Sequence, residues 1–195
     1  GFTEGLAIVA GTDAENAAPC GGGIVLTCRY QSANALYRST DFGANWTGSS
    51  ALDYLVWVLS LDGGIACAFQ DHDIYRSTDS GANWGSSVFN QTDVNFICAV
   101  NMGGGVGIAS GSIATGAYGT EYTTRIYRTT DSGATWSVIK ILADTWIYHL
   151  AKAGESLVLA GGMVEGASPT GRIFRSADAG SNWSELVGTW GISTT

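Results

Sequence analysis

The sequence predicts an all-β fold assembled from four copies of one four-stranded unit. Three observations predict it. A ten-residue segment recurs four times, short apolar runs separated by Gly-containing turns precede each copy, and the composition is rich in Gly but poor in charge.

The recurring segments are YRSTDFGANW (37–46), YRSTDSGANW (75–84), YRTTDSGATW (127–136) and FRSADAGSNW (174–183), which align without gaps. Their aspartates, Asp41, Asp79, Asp131 and Asp178, are spaced 38, 52 and 47 residues apart, the length of one four-stranded repeat. An aromatic-Arg pair closes a strand, and a hydroxyl residue stands two before the Asp. Its carboxylate is suited to accept backbone N–H groups across a turn. Gly43, Gly81, Gly133 and Gly180 supply the positive φ that lets the hairpin close. Trp46, Trp84, Trp136 and Trp183 begin the outgoing strand and can cover the apolar side of the hairpin. The segment reads as a folding device, so its Trp residues are expected to matter more for stability than any loop residue.

The segments resemble the Asp-box, or BNR repeat, of sialidases and related propellers, whose pattern Ser/Thr-x-Asp-x-Gly-x-x-Trp all four copies keep. The resemblance spans most of the chain. It implies a β-propeller, or an arc of one, with four blades at about 5–52, 53–91, 92–143 and 144–187. Residues 188–195 then form an extra or closing strand, ordered against the first unit or a second molecule.

Each unit is expected to run strand A, strand B, strand C, Asp-box turn, strand D. Strands A and B are GLAIVAG (5–11) and GGIVLTC (22–28) in the first unit, and VWVLSL (56–61) and GIACAF (64–69) in the second. In the third they are NFICAV (95–100) and GGVGIAS (104–110), and in the fourth WIYHLA (146–151) and SLVLAGG (156–162). Their near-continuous hydrophobicity suits strands covered on both faces by neighbouring blades.

Composition bounds the function. Net charge is −8 with nine basic residues, so no clustered basic surface for nucleic acid or anionic lipid is visible. No apolar run approaches the ~18 residues of a membrane span, and Gly1 reads as a mature start or a cut fragment. Cys20, Cys28, Cys67 and Cys98 lack CxxC spacing, which argues against zinc or redox chemistry. Two disulfides in any of three connectivities, or four buried thiols, remain open. The acidic, Lys-poor, Trp-rich composition leans extracellular. No cofactor is expected.

Function is expected on the face opposite the box turns, where the B–C and D–A loops lie. The third B–C loop, read as about Ser112 to Thr124, carries Tyr118, Glu121 and Tyr122, which suit a sugar, although a hairpin extension whose tyrosines pack on its own stem is the favoured explanation. Asp71, His72 and Asp73 are adjacent in a turn, but neighbours on an extended turn diverge and no metal site is expected. His149 reads as a core histidine. Asn45, Asn90 and Asn182 head glycosylation sequons, two of which are by-products of the box.

The resemblance to sialidases implies an arginine triad, yet Arg38, Arg76, Arg128 and Arg175 belong to the boxes, and Arg125 and Arg172 start the strands leading to them. Only Arg29 is left over. Xyloglucan-cleaving relatives use paired aspartates, for which Asp53, Asp93 and Asp144 in the D–A loops are candidates. No catalytic set is expected. The ligand-binding candidates are therefore Tyr118, Glu121, Tyr122, Arg29, Asp53 and Asp144. The expected function is a non-catalytic extracellular recognition module for a glycan or a protein surface. A structural or assembly subunit of a virion, filament or surface layer, with a homo-oligomer closing the arc, and a glycoside hydrolase with an Asp pair are the alternatives.

Overall fold

The computed structural model describes residues 14–29, 35–49, 51–115, 121–164 and 170–186. Within them sixteen strands form four antiparallel sheets, each a meander in chain order. The first contains β1 (Ala14–Gly21), β2 (Ile24–Arg29), β3 (Leu36–Ser39) and β4 (Thr47–Ser49). The second contains β5 (Leu55–Ser60), β6 (Ala66–Gln70), β7 (Asp73–Ser77) and β8 (Ser87–Asn90). The third contains β9 (Asn95–Gly103), β10 (Val106–Thr115), β11 (Glu121–Thr129) and β12 (Ser137–Leu142). The fourth contains β13 (Trp146–Lys152), β14 (Val158–Val164), β15 (Thr170–Ser176) and β16 (Ser184–Glu185). A 3₁₀ turn at Asp62–Gly64 is the one helical element among the described residues, and no helix is long and apolar enough to cross a membrane.

The sheets stack in chain order, β1 and β2 against β5, β5 against β9, and β9 and β10 against β13. Each junction holds its own core. Leu26, Leu36, Leu55, Val58 and Ala68 fill the first. The second is aromatic, with Phe69, Phe96, Tyr127 and Trp136, and Ile108, Ile126, Ile147, Val158 and Phe174 fill the third. At the second junction Phe69 meets Phe96 and Trp136 edge-on, with centroids 5.3 and 5.6 Å apart.

Strands of the second to fourth units fall where the apolar runs place them. The first unit differs. Its strand A is β1, AENAAPCG, paired along Ala14–Gly21 with β2, whereas the expected run 5–11 lies outside the described residues. β1 has no apolar alternation to betray it. It is an edge strand, where Pro19 costs no ladder bond. The Asn16 side chain holds it to the next sheet by donating to the Val58 carbonyl (2.6 Å) and accepting the Val58 N–H (3.0 Å).

Three further expectations are corrected. The third B–C loop is shorter than read, because the β10–β11 ladder continues to Thr115 opposite Glu121; 116–120 lie outside the described residues. The fourth, expected from about Met163 to Gly171, likewise loses both its ends to the ladder, β14 and β15 pairing out to Val164 and Thr170, and 165–169 lie outside the described residues. His149 is exposed rather than a core residue. Among the described residues β13 has a neighbouring sheet on one side, whereas β5 lies between β1 and β9 and is largely buried. None of the four cysteines is in a disulfide; burial is the main cause raising the Cys67 thiol to about 12 and the Cys98 thiol to about 11. The segment 188–195 lies outside the described residues.

Candidate functional site

The four box turns share one geometry. Ser39, Ser77, Thr129 and Ser176 donate their hydroxyls to the Asp two residues on, at 2.7 to 2.8 Å. The same oxygens accept the N–H of the box glycine, at 2.9 to 3.0 Å. Each Asp accepts the backbone N–H four residues on, at 2.8 to 2.9 Å, and a side-chain hydrogen bond from Asn45, Asn83, Thr135 or Asn182. The sequence reading missed that the residue before each glycine is also left-handed: Phe42, Ser80, Ser132 and Ala179 have φ of 60°, 55°, 55° and 51°.

That left-handed residue is a node between blades. Its N–H donates to the A–B turn of its own sheet, from Phe42 to Gly23, Ser80 to Gly64, Ser132 to Gly105 and Ala179 to Ser156. Its carbonyl accepts the box arginine of the preceding sheet. Arg38 Nε reaches Ser80 O at 2.9 Å, Arg76 Nε reaches Ser132 O at 2.8 Å, and Arg128 Nε reaches Ala179 O at 2.9 Å. Only backbone is used at this position, so Phe, Ser and Ala serve alike.

The hydrogen bonds draw the box carboxylates down to about 2. The leading cause is the Asn45 backbone N–H for Asp41, the Asn83 backbone N–H for Asp79 and the Asn182 side chain for Asp178. At Asp131 partial burial pushes upward, and the Thr135 and Thr129 bonds together outweigh it. A folded pKa below the unfolded value of about 3.9 stabilises the fold above that value, and the stabilisation is lost as pH falls toward 2. Denaturant midpoints are therefore expected to be flat between pH 7 and 5 and to fall between about pH 4 and 2, more shallowly in Asp79→Asn.

On the opposite face, an aromatic cluster forms where the third and fourth sheets meet. Tyr122 at the start of β11 packs edge-on against Trp146 at the start of β13, centroids 4.3 Å apart. Trp146 stacks on Tyr148 at 6.0 Å and 22°, and the Tyr148 hydroxyl donates to Met163 Sδ at 3.3 Å. Tyr148 is 39% exposed. Thr145 ties the two sheets together, its N–H donating to Tyr122 O at 3.1 Å and its carbonyl accepting the Thr124 hydroxyl at 2.6 Å. Beside the rings, Arg172 is fixed by a bidentate pair with Glu185 (2.7 and 2.6 Å) and a bond to Thr145 Oγ1 (2.6 Å). Those hydrogen bonds draw the Glu185 carboxyl below its ordinary value.

Comparison with known proteins agrees with this architecture. The BNR-Asp box repeat family model matches residues 36–48, the first box with its flanks. A GH74 xyloglucanase from Xanthomonas campestris superposes with a TM-score of 0.62 at 16% identity over 87% of this chain and 29% of its own. The extracellular domain of a one-component system from B. thetaiotaomicron gives 0.62 at 9% identity over 90% and 22%. Trypanosoma rangeli sialidase, in complex with the inhibitor DANA, gives 0.51 at 16% identity over 89% and 38%. No curated protein matches the chain. The chain is an arc of Asp-box propeller blades. It spans well under half the length of each of these three chains.

In the propeller arc the D–A loops repeat one arrangement. Asp53, Asp93 and Asp144 each precede strand A of the next blade, so Asp53 and Asp144 belong to different blade junctions. Asp93 pairs with Arg125 at 3.6 Å, and Asp144 is an exposed residue with φ of 51°. Of the expected ligand residues, Tyr122 and Asp144 flank the aromatic cluster at one junction. Arg29 is at the end of β2, with Nη1 3.4 Å from the Tyr37 hydroxyl. Tyr118 and the Glu121 side chain lie outside the described residues. Trp146 and Tyr148 were missed because they sit in what reads as a buried strand.

The Asp71–Asp73 turn is engaged within the scaffold. His72 Nδ1 contacts Val94 O, and Asp73 accepts the Asn90 side chain at 2.9 Å. Among the described residues no three His, Cys, Asp or Glu side chains are grouped to hold a metal. A recess of about 300 Å³ runs along the inner strands β1, β5 and β9, lined by Asn16, Trp57, Ser60 and Asn101 among others.

Proposed function

We propose that this propeller arc is a non-catalytic recognition module that binds a glycan at the junction of the third and fourth blades. The observation that carries the reading is the Tyr122–Trp146–Tyr148 cluster, partly open to solvent on the loop face. Sugar rings present C–H faces to aromatic planes and hydroxyls to nearby polar groups, and the exposed Asp144 and half-buried Arg172, linked through the buried Thr145, stand beside these rings. Five of the arginines that a carboxylate-gripping triad could draw on are engaged in the scaffold, which supports the reading: Arg38, Arg76 and Arg128 join blades, Arg125 holds Asp93 and Arg172 holds Glu185, while Arg29 and Arg175 stand at different blades. An extracellular setting fits a glycan ligand and belongs to the same proposal.

A glycan array followed by calorimetry on the best ligand tests it. Trp146→Ala is expected to weaken binding at least tenfold, about 1.4 kcal/mol, with the melting temperature little changed because the ring is only half-buried. Unaltered affinity in both Trp146→Ala and Tyr148→Ala contradicts the site. Turnover of sialosides or β-glucans that is lost on replacing Asp53 or Asp144 contradicts the non-catalytic reading.

A further inference from the structure

The three blade junctions repeat one joint, and among the described residues the first and fourth blades each carry one half of it unmatched. At each joint the strand-B residue opposite the box arginine presses on the box glycine of the next blade. These knobs are Leu26, Cys67 and Ile108, all fully buried and paired in register with Arg38, Arg76 and Arg128. A Cβ on Gly81 would lie 2.6 Å from Leu26, and one on Gly133 would lie 2.5 Å from Cys67 Sγ; Gly180 meets Ile108 in the same way. The residue two before each arginine, Leu36, Ile74 or Ile126, is also fully buried there.

The fourth blade repeats the donor half. Leu159 stands opposite Arg175 on β14 and β15, with Ile173 two residues earlier. Here the knob Leu159 and Ile173 are only half-buried and Arg175 is exposed, although Arg38, Arg76 and Arg128 are all half-buried. Among the described residues the Arg175 guanidinium has no acceptor. The first blade repeats the acceptor half. Among the described residues its left-handed Phe42 receives no arginine, and the one atom beyond the chain neighbours within 4 Å of a Cβ on Gly43 is a Trp46 carbon at 3.5 Å.

We propose that the outer face of the fourth blade docks onto the outer face of the first blade in a second copy of this chain. Arg175 then donates to the Phe42 carbonyl and Leu159 seats on Gly43, continuing the joint already formed three times within the chain. The occupant is a second copy because one chain carries both halves, each matching the other in hydrogen-bond donor, acceptor, knob and socket. The contact is head-to-tail, so two copies close into a ring only if the blade rotation permits it and otherwise extend. The joint lies at the box end of the sheet, whereas Trp146, Tyr148 and Met163 occupy the loop end, so self-association and ligand binding are separable.

Sedimentation velocity and native mass spectrometry of the full chain across a wide concentration range test this. Concentration-dependent self-association is expected, with Leu159→Glu and Arg175→Met each weakening it at least tenfold. Both residues are already solvent-accessible, so circular dichroism and melting at dilute concentration should match the parent. A monomer at every concentration, the outcome if a segment of the same chain covers this face, overturns the proposal. So does self-association that both variants leave unchanged.

Discussion

Trp136→Ala is expected to lower stability by about 3–5 kcal/mol, the range for removing a large buried aromatic. Trp136 is 7% exposed, lies in the aromatic core between the second and third blades, and meets Phe69 edge-on at 5.6 Å. Trp46 and Trp84 are only half-buried, so the four box tryptophans are not equivalent and Trp84→Ala should cost less. The indole N–H gives an internal control. Trp84 and Trp183 donate to Gly81 O and Gly180 O at 3.2 and 2.9 Å, whereas Trp136 Nε1 is buried without a partner. Trp136→Phe gives up no hydrogen bond and should retain most of the stability, which denaturant unfolding with a constant m-value reads directly. An unfolding midpoint unchanged in Trp136→Ala contradicts the role of the ring.

Gly133→Ala is expected to be nearly as damaging, although it adds one methyl group. Gly133 has φ of +77°, and its added Cβ would stand 2.5 Å from Cys67 Sγ and 3.3 Å from Leu61 Cδ1. The left-handed conformation costs about 1–2 kcal/mol for a residue with a Cβ. Overpacking a filled core adds about 1–3 kcal/mol. Together these give about 2–5 kcal/mol, less whatever strain relaxes by separating the two blades. Cys67→Ala in the same chain removes the clashing sulfur and should recover the packing part while leaving the backbone part. A double-mutant cycle with no coupling between positions 67 and 133 contradicts the knob-and-socket joint.

The Asp-box turns were legible because their chemistry is local. Ser77, Asp79 and Gly81 lie within five residues, and their hydrogen bonds run along the same short stretch. The strands around Val58 and Ile108 were legible from apolar runs bounded by Gly. β1 was not, since an edge strand can be held by Asn16, can carry Pro19 and needs no alternating pattern. The joint was also hidden. Arg76 reaches a backbone carbonyl 56 residues away, and the acceptor leaves no mark on side-chain identity. On the loop face, Tyr122 and Asp144 were recognised singly. Their companions Trp146 and Tyr148 read as core, because an apolar run does not reveal that β13, among the described residues, is covered by a sheet on one side.

The box arginine as the link between successive blades is tested most directly by Arg76→Met, which keeps much of the aliphatic stem and removes the guanidinium. Loss of its 2.8 Å bond leaves the Ser132 carbonyl without that donor. Chemical unfolding, monitored at a concentration where the chain is monomeric, should show stability lowered by about 1–3 kcal/mol. Unfolding that coincides with the parent would contradict the arginine joint.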